Sequence, residues 1–177
     1  DYEHILVGAK ALFAASQSVD AEEWSSYVNS LGLEANYPGI QAMAFVRRVP
    51  AAEKEAYLKS QAKGGADFVI KPAGDRPDYF PHTFLQQREG RDDLVLGYDG
   101  YQEPVRRKAM EEAWIGGRPT LTSAVVLRVD SGQAGRSGFI MYAPVYRNGM
   151  PAATPDERRA ALMGFISGSF RMRDLMA

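Results

Sequence analysis

The sequence predicts an α+β fold: an antiparallel sheet with helices and loops packed on one face. Three observations predict it. Two helical patterns precede any strong strand signal, strand and helix then alternate only briefly, and the chain closes on three strand-like stretches at 120–129, 138–147 and 162–170. A parallel α/β sheet would keep alternating strand and helix to the end.

Each element has a local reason. Ile5, Leu6, Ala9, Leu12 and Phe13 recur at helical spacing and make one apolar stripe on a first helix. Asp20, with Glu23 three residues on, has the spacing of a capping box, and Trp24, Tyr27, Val28 and Leu31 follow as the buried face of a second helix that Gly32 ends. Tyr37-Pro38-Gly39-Ile40 is a turn, and 42–49 reads as a strand. Pro50 starts a helix through Glu53, Ala56, Tyr57 and Leu58, with a stop at Gly64-Gly65, and Phe68-Val69-Ile70 is expected to be a short strand. Residues 71–81 hold three prolines and a glycine and are therefore a loop, of a length often tied to function. Asp99 sits as a turn residue or cap ahead of a helix at about 103–115, with Pro104 in its first turn and Gly116-Gly117 at its end. Ser131-Gly132 marks a turn between closing strands, Thr154-Pro155 with Glu157 caps a short helix, and 171–177 begins another.

Composition narrows the function. Lys plus Arg number 21 against 22 Asp plus Glu, a net charge of −1, so no broad field recruits nucleic acid or an anionic membrane. Hydrophobic residues make up 45% and charged residues 24%, which excludes a disordered chain. Cysteine is absent, which excludes disulfides and thiolate chemistry and fits either side of a membrane. No run approaches the roughly 18 apolar residues of a membrane span. Residues 1–10 read as the interior of a helix already under way, as expected for a piece of a larger protein.

No catalytic constellation stands out. His4 and His82 lie far apart with no HExxH spacing, Asp92-Asp93 lacks the run of oxygen donors of a calcium loop, and the glycine pairs match no phosphate-binding motif. The expectation is no catalytic residue, no metal site and no cofactor. What remains is a set of aromatic and hydroxyl side chains on the long loop and the closing strands: Tyr79, Phe80, Phe84, Tyr98, Thr122 and Tyr142. Flat apolar walls with a few hydrogen-bonding groups are the usual lining of a small-molecule pocket.

Several segments occur in a recognisable order: Tyr37-Pro38-Gly39-Ile40 with Ala44-Phe45-Val46, Tyr79-Phe80-Pro81, Leu96-Gly97-Tyr98-Asp99 and Val105-Arg106-Arg107-Lys108-Ala109-Met110, then Leu121-Thr122-Ser123, Ala143-Pro144-Val145-Tyr146 and Gly164-Phe165 through Phe170. Together they resemble the CHASE domain, the extracellular sensor of cytokinin-receptor histidine kinases and of many bacterial kinases and diguanylate cyclases. The resemblance implies a long N-terminal stalk helix followed by PAS-like antiparallel sheet lobes. It divides the chain into N-terminal helices at 1–34, a membrane-distal lobe at about 35–147 and a smaller membrane-proximal lobe at about 148–177. It also implies a periplasmic position in a receptor anchored by flanking transmembrane helices, a homodimer through the stalk, and a cytoplasmic enzymatic output beyond this non-enzymatic piece.

The implied ligand is a small molecule. Plant members bind adenine-type cytokinins through an aspartate just before the Tyr-x-Pro segment; that position is Pro77 here, with Asp78 one residue along. Asp78, Tyr79, Phe84, Tyr98, Thr122 and Tyr142 are thus the candidate ligand-binding residues, Tyr98 and Thr122 also on positions that line the family's pocket. The alternative expectation is a protein-interaction or dimerisation module of such a receptor with no small ligand.

Overall fold

The computed structural model describes residues 2–62, 67–88, 92–127 and 137–175. The first apolar stripe forms α1 (Tyr2–Ala15), which buries Ile5, Leu6, Ala9 and Phe13. The expected capping box opens α2 (Ala21–Ser30): the Glu23 N–H donates to the Asp20 carboxylate at 2.8 Å, and the Asp20 N–H donates back to the Glu23 carboxylate at 3.1 Å. Gly32, at φ 58°, turns the chain into α3 (Leu33–Asn36). Then follow β1 (Ile40–Arg47), β2 (Val49–Pro50), a 3₁₀ turn at Ala51–Glu53 and α4 (Lys54–Gln61). The stretch at 71–81, expected to be loop throughout, contains the short strand β3 (Asp78–Tyr79) paired with β2, and after it come β4 (His82–Gln87), α5 (Asp92–Val95) and a 3₁₀ turn at Gly100–Gln102. The chain continues through α6 (Pro104–Gly116), β5 (Thr120–Leu121), β6 (Val125–Val126) and β7 (Ser137–Tyr146) to α7 (Pro155–Ala161), β8 (Leu162–Arg171) and α8 (Met172–Leu175). The helix stop expected at Gly64-Gly65 and the turn expected at Ser131-Gly132 lie outside the described residues.

One sheet has the order β4-β1-β8-β7-β5, antiparallel throughout, with β6 also paired to β7. Successive side chains on a strand point to opposite faces. On one face Met43, Phe45, Phe84, Ile166 and Phe170 pack under Leu6, Phe13 and Trp24 of α1 and α2. On the other, Val46, Ile140, Tyr142 and Phe165 meet Phe80 and Ala109, Met110 and Ala113 of α6. A small third cluster of Val49, Tyr57, Ile70 and Tyr79 sits at the β2–β3 ribbon.

The mixed helix and antiparallel-sheet class stands, with corrections. Helices cover both faces of the sheet, not one, because β1 and β8 are apolar at both parities and buried almost throughout. Phe68-Val69-Ile70 joins no ladder; Ile70 is buried in the ribbon cluster instead. The edge strand β4 was not expected from its polar sequence HTFLQQ. Residues 162–171, assigned to a second lobe by the expected division near residue 148, form the strand between β1 and β7, so that division does not separate two cores.

A clasp fixes the cover over the second face. Residues 97–99 thread between two chain segments: the Lys71 N–H donates to the Gly97 carbonyl (2.9 Å), the Asp99 N–H to Lys71 (2.7 Å), the Gly97 N–H to His82 (2.9 Å) and the His82 N–H to Tyr98 (3.0 Å). Gly97 adopts φ +84°, and a Cβ there would lie 2.1 Å from the Val69 carbonyl oxygen, so only glycine passes. The Asp99 carboxylate is fully buried. It accepts from the Arg76 guanidinium (3.2 Å), from the Tyr101 N–H (3.1 Å), which it caps, and from the N–H of Phe80. Burial pushes this carboxyl above its ordinary pKa, against the pull of those donors and of Arg76.

Two contrasts test this architecture by thermal unfolding. A Cβ at Gly164 of β8 would lie 2.3 Å from the Val46 carbonyl oxygen and 2.9 Å from the Phe45 ring, whereas one at Gly116 meets nothing within 4 Å. Gly164→Ala is expected to cost about 1–3 kcal/mol, and Gly116→Ala to leave stability unchanged or raise it by up to about 1 kcal/mol. Asp99→Ala strands Arg76 and two amides and is expected to cost about 3 kcal/mol or more. Asp78→Ala, whose partner Arg48 is a fifth exposed, costs about 1 kcal/mol or less. Equal losses for the two aspartates would show that the clasp does not hold the cover.

Candidate functional site

The second sheet face is filled at one end and hollow at the other, and side-chain size decides which. Where β1 and β8 place Val46 opposite Phe165, the face is solid core. Two and four residues along, they place Ala44 opposite Ser167 and Ala42 opposite Ser169. Four small side chains in a block cannot reach the cover above them, and a hollow remains.

Its lining is completed by Leu85 of β4, Ile140 of β7, Val95, Leu127, His82, Tyr98 and Arg106. It has room for about three water molecules. The Oγ of Ser169 is buried with no hydrogen-bond partner among the described residues. An unmet buried hydroxyl costs roughly 1–3 kcal/mol, which a bound molecule with a matching polar group offsets.

The polar members are held from behind. The Tyr98 carbonyl lies 2.7 Å from His82 Nδ1, and carbonyls only accept, so Nδ1 carries the proton; the two rings stack at 5.9 Å. Arg106 is 5% exposed and extends from the first turn of α6. Its Nη1 donates to the Glu103 carboxylate (3.2 Å), its Nη2 to the Val126 carbonyl (2.9 Å), and its guanidinium carbon lies 5.7 Å from the centre of the Tyr98 ring. Glu103 is itself the N-cap of α6, accepting from the N–H groups of Val105 and Arg106 at 2.9 and 3.0 Å. Burial pushes its carboxyl up, but those N–H groups and Arg106 outweigh it and hold the pKa below the usual glutamate range. Tyr98 is carried by the clasp, so the loop at 71–81 positions the site from one layer out and contributes none of its lining.

Of the six residues singled out in the sequence, the hollow takes Tyr98 into its lining. Tyr142 is buried on the same sheet face beside Phe165, ring centres 5.9 Å apart, and burial pushes its phenol pKa up. Thr122 seals the β7 edge, its N–H donating to the Ile140 carbonyl and its Oγ1 accepting the Ile140 N–H at 3.0 Å. Phe84 lies on the opposite face, 6.2 Å from the Trp24 ring and 5.9 Å from the Phe45 ring. Asp78 pairs with Arg48 at 3.0 Å on the ribbon, and the Tyr79 hydroxyl donates to the Gly74 carbonyl there. Sequence reasoning missed Ala42, Ala44, Ser167, Ser169 and Arg106. The available signal was the two-residue spacing of small side chains in AMA and SGS.

Among the described residues no group of three or more His, Asp or Glu side chains is placed to hold a metal ion, and no helix is long and apolar enough to cross a membrane. A comparison with curated proteins found no match. The model of the CHASE domain family matches residues 17–177, nearly the whole chain. CHASE domains are extracellular, non-catalytic sensor domains of receptors. With nine-tenths of its length matched in this way, the chain belongs to the CHASE domain family.

Proposed function

We propose that this chain is the ligand-sensing part of a membrane-anchored signalling receptor, and that the hollow over Ala42, Ala44, Ser167 and Ser169 is where a small molecule binds. The observation that carries this reading is the Ser169 hydroxyl, buried in the lining of that hollow without a partner among the described residues. A cavity with convergent polar groups under a helical cover is a favoured place for a small ligand. The single sheet with one hollow face supports a PAS-like lobe. The small volume favours a compact ligand over a purine, and Asp78, held by Arg48 outside the lining, offers the hollow no purine contact.

The same reading places the domain on the periplasmic side of a histidine kinase or of a diguanylate cyclase or phosphodiesterase, with membrane-spanning helices on either side. A homodimer through α1 is part of it. The outward face of α1 carries Val7, Gly8, Ala11 and Ala14, all exposed, and small side chains let two helices approach closely. A ligand that binds one arrangement of the dimer more tightly shifts the population toward it.

Thermal-shift screening with amino acids, small carboxylates and purines tests the reading. A ligand at about 100 times its Kd adds about 2.7 kcal/mol, which raises Tm by roughly 5–10 °C in a domain of this size. Ala44→Leu fills the hollow and is expected to abolish the shift while the variant still unfolds cooperatively. A ligand response that survives Ala44→Leu would place the binding site elsewhere.

A further inference from the structure

The chemistry of the lining goes further than its shape, and the step rests on the hollow being the ligand site. Leu85, Val95, Leu127 and Ile140 make its walls aliphatic. Of the aromatic rings, Tyr98 and His82 line it, and they are already stacked on each other, which leaves no platform dedicated to a planar heterocycle. Among the described residues Arg106 is the one formal cation in the lining, and no carboxylate lines the hollow with it.

Arg106 has capacity to spare. A guanidinium presents five N–H donors; among the described residues Glu103 and the Val126 carbonyl take two of them. The charge of Glu103 is shared, because its carboxylate also caps two backbone amides of α6. A nearly buried guanidinium with unused donors is a strong acceptor-seeking group, and a carboxylate is the acceptor it matches best. The Ser169 hydroxyl, as a donor, suits the same partner.

We propose that the hollow takes a short-chain aliphatic monocarboxylate, its carboxylate bound by Arg106 and Ser169 and its alkyl chain against Leu85, Val95, Leu127 and Ile140. Space for about three waters fits an acid of a few carbons.

Calorimetry and thermal shift on the wild-type chain test this with sodium propionate, butyrate and valerate, the matching primary amides, and sodium chloride at equal ionic strength. Butyrate or a neighbour in the series is expected to raise Tm, and its amide to bind at least about tenfold more weakly, since charge-assisted hydrogen bonds are about twice as strong as neutral ones. Ser169→Ala is expected to weaken the acid several-fold, and Arg106→Gln to remove the preference for acid over amide. The acid–amide comparison needs no variant, so a misfolded Arg106→Gln leaves the proposal exposed to refutation. It is overturned if amide and acid bind alike, if chloride reproduces the shift, or if no acid raises Tm. Should adenine or another neutral compound bind and be blocked by Ala44→Leu while the acids stay silent, the ligand class falls and the site stands. Should nothing respond, and Ala44→Leu alter nothing, both fall together.

Discussion

The buried carboxylate of Asp99 is the point on which the second half of the fold hangs. It lies at the crossing of the stretch at 71–81 and the turn into α6, and it accepts from donors on both: Arg76 and the Phe80 N–H on the first, the Tyr101 N–H on the second. Tyr79 and Phe80 anchor the stretch at 71–81 in two of the apolar clusters. Backbone hydrogen bonds and the Arg76–Asp99 ion pair then fix the positions of both segments over the sheet. Tyr98 and Arg106 inherit their places from this crossing, and so does the height of the roof above β1 and β8.

The two faces of the sheet differ in construction. On the α1–α2 side, Phe13, Trp24, Phe45 and Phe84 interlock as a stack of rings, and the core is solid. On the α6 side, aromatic packing through Phe80, Tyr142 and Phe165 stops where alanine and serine begin. Large rings make the first face a foundation. Small side chains beneath a hydrogen-bonded roof leave the second partly hollow. A family whose members are sensors fits this asymmetry: one side supplies stability and the other gives it up locally.

Much of the scaffold was legible because its signals are local. The capping box at Asp20–Glu23, the Thr154 cap on α7, the apolar stripe of α1, the Pro104 start of α6 and the long strands β7 and β8 all follow from spacing within a few residues, whereas the strand expected at 120–129 is broken into the two short pieces β5 and β6. The misses are non-local. Phe68-Val69-Ile70 has strand chemistry but joins no ladder, while the polar β4 is a strand because it pairs with β1. The site was the least legible part, since aromatic residues announce themselves and absent volume does not. Phe84 and Tyr79 serve packing clusters, and the hollow is written in Ala42, Ala44, Ser167 and Ser169, residues that draw attention only once the register of β1 against β8 is known.

The middle position of β8 has a mechanical consequence. This strand is bonded along both edges, carries Ser167 and Ser169 under the hollow, and runs without a break into α8 at Met172. From Ser169 to Met172 is three residues, about 10 Å of nearly inextensible extended chain. Anything that lifts or presses the floor at Ser169 pulls on the base of α8 as a rod pulls on a hinge, with no loop between them to absorb the stroke.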